Sequence, residues 1–409
     1  MTTTTPSPDS APAESASSGA GSVSAESVDA ASITPAGVAL DDQPTIIEEP
    51  SQGADGGAGL AETTSDERPL LERALRSLTR WILAIAAALV IFGAFLVAKG
   101  SNPIDVYATM WSNVFGDTNS FGELLVQSAP FLLAGLAVAV PARAGLFNIG
   151  GEGQLVLGAI GAVLMAELMA NSLSPFVQLL VMAIGGMIGG AAWAAIPALL
   201  KRYTATSEAI TSLLLNYIAV LLLSWLVYGP WKDKASFGYP ASRLLEQDER
   251  FPIIWGSRVH GGVFISVIMA VVIWAVLKYT PWGFRLRVVG GNAEAARRAG
   301  FAVGSVMVVA MLVGGALAGL AGMIEVTGVE GQLRPGMMVG YGFIGFLASW
   351  LVRHDPLKII GSSLLLGAIA VGGNGLKTST GLSGAAVYIL MAVLLLAILG
   401  WSQKQKVRV

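Results

Sequence analysis

The chain alternates long apolar runs with short polar connections, and the lengths of those runs carry the first inference. Ten segments approach the ~20 residues a helix needs to cross a bilayer. They are Trp81–Ala98, Phe121–Val140, Glu152–Ala170, Phe176–Leu200, Ala209–Tyr228, Gly262–Tyr279, Ala302–Ile324, Met337–Val352, Leu357–Gly373 and Ser383–Gly400. Glu152–Ala170 and Met337–Val352 are short or interrupted, and either could be re-entrant or broken. The pattern therefore predicts an all-α polytopic membrane protein of about ten transmembrane helices, some of them broken or re-entrant, behind a disordered N-terminal tail.

Composition agrees: 54% of residues are hydrophobic, 13% are charged and mean hydropathy is +0.66. Two domains follow. Residues 1–67 hold 12 of the 27 acidic residues and none of the 25 basic ones, and are rich in Ser, Thr, Ala, Gly and Pro. Such a stretch buries too little surface to offset chain entropy, so 1–67 reads as a disordered acidic cytoplasmic tail and 68–409 as the transmembrane domain. A signal peptide is not expected, because the tail lacks a basic start followed by an apolar core. With the N-terminus inside, 17 basic residues fall on the cytoplasmic side and eight outside, five of these in the long loop Gly229–Gly261. That asymmetry places both termini in the cytoplasm.

Several chemistries have little support. There is no cysteine, and His260 and His354 stand alone, so no metal site and no cofactor is expected. The segment Gly373–Ser379 misplaces its lysine for a phosphate-binding loop. Neither Gly-x-Ser-x-Gly nor His-Glu-x-x-His occurs, and no enzyme activity or nucleic-acid partner is expected.

Polar residues inside apolar segments are the candidate chemistry, because each is costly if it faces lipid. The run Ala144–Gln154 contributes Asn148, Glu152 and Gln154 among four glycines, and Asn216 lies deep in a later segment. Their amides and carboxylate suit hydrogen bonding to sugar hydroxyls or base edges along a substrate pathway. Alternatively they staple a broken helix inside the bundle. Gln127, Glu208 and Glu325 are further polar residues of this kind, and Glu208 could simply favour a helix N-terminus. The glycine-rich faces Gly185–Ala192 and Gly314–Gly322 read as close helix packing.

Three stretches resemble a known family: GLFNIGGEGQ at 145–154, SEAITSLLLNYIA at 207–219 and TPWGFRLRVVGGNAEAARRAGF at 280–301. Together they resemble the membrane-embedded permease subunits of ATP-binding cassette importers. The nearest branch carries nucleosides and simple sugars and is related to ribose and branched-chain amino acid permeases. The resemblance runs in order from about Trp81 to Gly400; the acidic tail departs from it. It implies a bacterial inner-membrane location and a translocation pathway for nucleosides or simple sugars. The implied partners are a separate ATP-binding subunit, a second permease subunit (paralogue or self), an extracytoplasmic solute-binding protein and the surrounding membrane lipid. The third stretch then holds the coupling helix. Its residues favour this independently: Asn292 can cap a short helix Ala293–Ala299 that stops at Gly300. Arg285, Arg287, Asn292, Glu294, Arg297 and Arg298 are the candidate coupling residues. The mixed-charge loop Gly229–Gly261 could receive the solute-binding protein. An ion-coupled secondary transporter working through Glu152, Glu208 or Glu325 is the alternative, and a channel-like or structural subunit is a third reading.

Overall fold

A computed structural model describes residues 70–169, 173–235, 238–254, 258–374, 376 and 386–403. Contacts divide the chain into Met1–Glu67 and Arg68–Val409, and the fold below concerns the second unit. The acidic tail, Lys377 and the basic residues beyond Gln403 lie outside the described residues.

Thirteen α-helices are described: α1 Leu70–Ala98, α2 Pro103–Phe115, α3 Thr118–Ala142, α4 Gly151–Leu168, α5 Pro175–Thr204, α6 Glu208–Tyr228, α7 Gly261–Tyr279, α8 Pro281–Gly291, α9 Ala293–Arg298, α10 Val303–Glu325, α11 Tyr341–Leu351, α12 Pro356–Gly373 and α13 Ala386–Gln403. Among the described residues there is no strand, only an isolated bridge between Ile253 and His260. Eight helices are long and apolar enough to cross a membrane, and the helical stretches Tyr341–Leu351 and Ala386–Ile398 are shorter.

Two expectations resolve differently from one another. The segment beginning at Glu152 forms one regular helix, α4, unbroken to Leu168. Met337–Val352 is broken: its first four residues are not helical, and the helix α11 that follows has only 11 residues. Before it, a π turn at Val326–Glu330 ends α10, and residues 331–340 run without helix. Gly331, Gly336 and Gly340 there take φ of +72°, +78° and +86°, a left-handed backbone that glycine adopts without steric cost. Besides the expected short helix α9, two helices, α2 and α8, had no counterpart among the apolar segments. In α2 the Asn102 side chain accepts from Ile104 N–H, and in α8 that of Thr280 accepts from Gly283 N–H, each just ahead of a proline at the first helical position, a local signal independent of hydropathy.

The centre of the bundle is α3, α4 and α10, with α5 packed against α4 and α10. The membrane window of α3 is 89% buried, against 28% for α1, α5, α6 and α7, so α3 is enclosed by protein rather than by lipid. Where α10 crosses α4 and α5, Gly319 faces Gly158, Gly186 and Gly190, and Gly315 faces Gly190 and Ala194. Lipid gives helices no hydrophobic reason to associate, so attraction depends on close backbone approach, which these small residues permit.

Hydrogen bonds and packing tie the helix ends into two faces. At one, Arg143 after α3 reaches the carbonyl of His354 before α12. Arg202 of α5 lies against Gly304 of α10, and Lys201 pairs with Glu208. Gly290 of α8 packs on Arg143 and Gly145. This is the basic end. At the opposite end, the 229–260 connection is pinned to the turn after α10 by Ser242 N–H to Leu333 O (2.9 Å), Leu245 N–H to Gly331 O (2.7 Å) and Phe251 N–H to Thr327 O (3.2 Å). Asn113 of α2 donates there to the carbonyls of Gly372 and Asn374.

Candidate functional site

The polar residues of the Ala144–Gln154 run meet in one buried knot. Asn148 and Gln154 form a reciprocal amide pair, with Nδ2 to Oε1 at 2.9 Å and Nε2 to Oδ1 at 2.8 Å. Asn148 Nδ2 also donates to Ala137 O of α3, and its Oδ1 accepts from Gly150 N–H. Asn216 of α6 accepts from Gly153 N–H at 2.8 Å and donates to Ile149 O at 3.0 Å. Buried amides lacking such partners would cost stability; here the side chains satisfy the backbone of the 148–153 turn, where α4 begins without a side-chain cap of its own. Gly153 is needed because a Cβ there would press on Trp193 and Asn216.

Glu152 reaches out of this knot to the broken span. Its Oε1 accepts from Gly340 N–H at 2.6 Å and its Oε2 from Gly342 N–H at 2.9 Å. A carboxylate from α4 thus caps the N-terminus of α11, where orphan N–H groups and the helix dipole both favour negative charge. Gly151 and Gly342 lie backbone to backbone, which lets the carboxylate approach.

Beyond the first turn of α11 opens a cavity of about 530 Å³, within the range of small-molecule sites. Tyr341 and Tyr388 supply aromatic surface, with the buried Phe131 behind them, and Gln127, Asn374, Glu330 and Arg334 supply polar groups. Tyr341 sits edge-on to Phe131 at 5.1 Å and donates from its hydroxyl to the buried Glu325 at 3.2 Å. Glu330 and Arg334 pair with each other. The chain brings Asn148, Glu152, Gln154 and Asn216 together, while the cavity beside them is lined by other residues. Of its polar lining, only Gln127 stood out in sequence. Tyr341, Glu330 and Arg334 were passed over, although the Gly/Pro-interrupted apolar stretch from Gly331 to Gly342 is the pattern that marks transporter binding sites.

The second candidate region lies at the basic end. Asn292 Oδ1 accepts from Ala295 N–H at 2.9 Å and caps α9. Ala296 buries one side of this short helix, while Glu294 on the other pairs with Arg297 at 2.7 Å and Arg298 at 3.2 Å. All three charged side chains are more than half exposed. Beside α9 runs a groove of about 500 Å³ that includes Trp282, Arg285, Phe301 and Val309. Arg287 turns elsewhere, donating to Leu277 O of α7.

At the opposite end, Arg243 grips Glu249 through two bonds (2.7 and 2.8 Å) and Glu167 at the end of α4 through a third (2.6 Å). These carboxylates hold the guanidinium protonated even more firmly than usual, against a smaller effect of burial. Burial pushes the Glu249 carboxyl up, but the bonds from Arg243 and the Glu246 amide outweigh it and leave it below its ordinary value. A depressed carboxylate stabilises the fold above its unfolded-state titration and loses that contribution as pH falls through the folded one. Arg243→Met is therefore expected to cost about 1–3 kcal/mol, as charge-assisted bonds at a partly exposed site do. Thermal melts in detergent should also show a flatter acid limb for the variant.

A bundle of membrane-length helices around a broken span and a polar cavity defines a multi-pass membrane permease. Residues 120–399 match the family model described as branched-chain amino acid transport system / permease component, and the chain belongs to that family. The glucose ABC transporter permease protein TsgB13 of Haloferax volcanii is 37% identical over 331 residues, covering 77% of this chain and 85% of that protein. The guanosine ABC transporter permease protein NupP of Bacillus subtilis is 31% identical over 322 residues, covering 77% and 89%. A second guanosine permease protein of the same bacterium, NupQ, is 28% identical over 288 residues, covering 67% and 88%. This chain, like them, is a transmembrane permease subunit of the ATP-binding cassette class.

Proposed function

We propose that this subunit forms the import pathway for nucleosides, with simple sugars as the second substrate class. The cavity at the start of α11 carries the reading: Tyr341 and Tyr388 offer aromatic surface to a base, and Gln127 and Asn374 offer amides to its edge. The names of NupP and NupQ support the same substrate class, and that of TsgB13 supports the second. Two guanosine permease proteins in one bacterium also favour a paralogous second permease as partner over a second copy.

The basic end faces the cytoplasm in this reading, with both chain termini, as the excess of cationic residues there requires. The exposed Glu294, Arg297 and Arg298 of α9, with Arg285 in the adjoining groove, dock the ATP-binding subunit. Asn292 holds α9 in shape, and Arg287 acts from within the bundle. The pinned loop at the other end receives the solute-binding protein. Asn148, Glu152, Gln154 and Asn216 support the wall of the pathway. Ion coupling is disfavoured because Glu152, Glu208 and Glu325 are each engaged by protein donors.

Co-purification from mild detergent tests the docking surface. The tagged chain should recover an ATP-binding subunit, and the triple replacement of Glu294, Arg297 and Arg298 by alanine should lower that recovery at least tenfold while the bundle still folds. Uptake of a labelled nucleoside that survives ATP depletion but collapses with an uncoupler would overturn the importer reading.

A further inference from the structure

A second, smaller pocket of about 200 Å³ lies at the basic end, where the ends of α3 and α7, the start of α8 and the start of α12 meet. Arg143, Lys278 and Arg287 line it, together with Trp274, Asp355 and Pro356. None of the three cations makes an ion pair among the described residues. Arg143 spends one Nη2 hydrogen on His354 O, but its Nε is buried with no hydrogen-bond partner. Arg287 donates to Leu277 O. The single carboxylate present, Asp355, is committed elsewhere: Oδ1 accepts from the Leu357 and Lys358 amides, and Oδ2 pairs with Lys358 at 3.2 Å.

Three cations around one pocket, together with an orphaned buried donor, call for an anion with several acceptor oxygens. Its depth in the bilayer is marked by Lys278, whose ammonium lies 4.9 Å from the Trp274 ring centre and 5.1 Å from that of Tyr279. Aromatic and basic residues paired at the end of a membrane-length helix sit at headgroup level. The volume is below the ~300–1,000 Å³ of sites that enclose a drug-sized ligand, so a headgroup fits and a nucleotide does not.

We propose that this pocket binds the phosphate of an anionic phospholipid, seating the α7–α8 elbow on the membrane. The lipid tails would lie along the exposed apolar face of α7, where Val267, Ile268, Val271 and Val272 are uncovered. Basic pockets between transmembrane helices bind such headgroups elsewhere by the same electrostatics.

The test is a thermal melt of the purified full chain in neutral detergent, titrated with phosphatidylglycerol, phosphatidylcholine or inorganic phosphate. Phosphatidylglycerol is expected to raise the melting temperature by several degrees, phosphatidylcholine not to, and Lys278→Gln to reduce the shift at least by half. Arg143→Gln should remove it. Lys278 is exposed, so its variant should fold even if that of Arg143 does not. An equal shift from inorganic phosphate at matched concentration would assign the pocket to a soluble anion. An undiminished lipid shift in Lys278→Gln, or no shift with phosphatidylglycerol, would refute the site. Loss of ATP-binding-subunit recovery in Lys278→Gln with the lipid shift intact would make the pocket part of the docking surface instead.

Discussion

Gly319→Val in α10 is expected to leave no folded bundle. A Cβ at Gly319 would run into the carbonyl of Gly186 and stand 3.1 Å from Gly190 Cα, both on α5, while Gly158 of α4 closes in from the other side. Each neighbour is backbone, with no rotamer to yield, so α10 must move away from two helices at once. Overpacking of a core typically costs about 1–3 kcal/mol and occasionally more. A β-branched residue at a three-helix crossing belongs to the upper end. The readout is the yield of monodisperse protein after detergent extraction, which should fall to background. Gly361→Ala is the matched control, because nothing lies within 4 Å of a Cβ there. Its yield and melting temperature should be unchanged or slightly higher, since alanine favours helix over glycine. Normal yield of Gly319→Val would mean that α10 does not cross α5 as described.

Glu152→Ala should produce an effect of comparable size. It removes both acceptors at the start of α11 and strands the amides of Gly340 and Gly342 inside the bundle. Hydrogen bonds to a charged group contribute about 1.5–3 kcal/mol each, so the loss should reach roughly 3–6 kcal/mol. Tyr341 lies between those two amides and lines the cavity, so the damage is transmitted directly to the cavity wall. Uptake by the reconstituted importer should fall more than tenfold even where protein is recovered. Glu152→Gln keeps one carbonyl oxygen for one amide and turns an NH2 toward the other, and it should retain intermediate stability and uptake. A glutamine variant as inactive as alanine, but fully stable, would mean that the carboxylate acts by charge or proton rather than as a cap.

The comparison of these two sites shows what a linear reading can reach. Hydrophobic run length located every membrane-length helix within a few residues, because lipid imposes one thickness on all of them. The clustering of Asn148, Glu152, Gln154 and Asn216 in apolar surroundings marked them as buried, since lipid penalises each in the same way wherever it lies. The cap at Asn292 was legible too, as a local bond spanning three residues. By contrast, the partners of Glu152 lie 188 and 190 residues away, and no periodicity or composition relates them. Long stretches of sequence likewise separate Gly158 of α4 from Gly319 of α10, and Arg143 of α3 from Arg287 of α8.

From the sequence alone came the class of protein, the positions of the membrane-length helices, the asymmetry of charge and the short capped helix at the basic end. All depend on short-range rules: run length, burial cost, capping and the positive-inside bias. Only the tertiary structure decided that α4 is intact while the Met337–Val352 span is broken, that Glu152 caps the short helix it leaves, and that the cavity is lined by residues outside the glycine-rich run. The reason is that a carboxylate in a membrane bundle is defined by the donors that surround it, and here folding brings those donors from the far end of the chain.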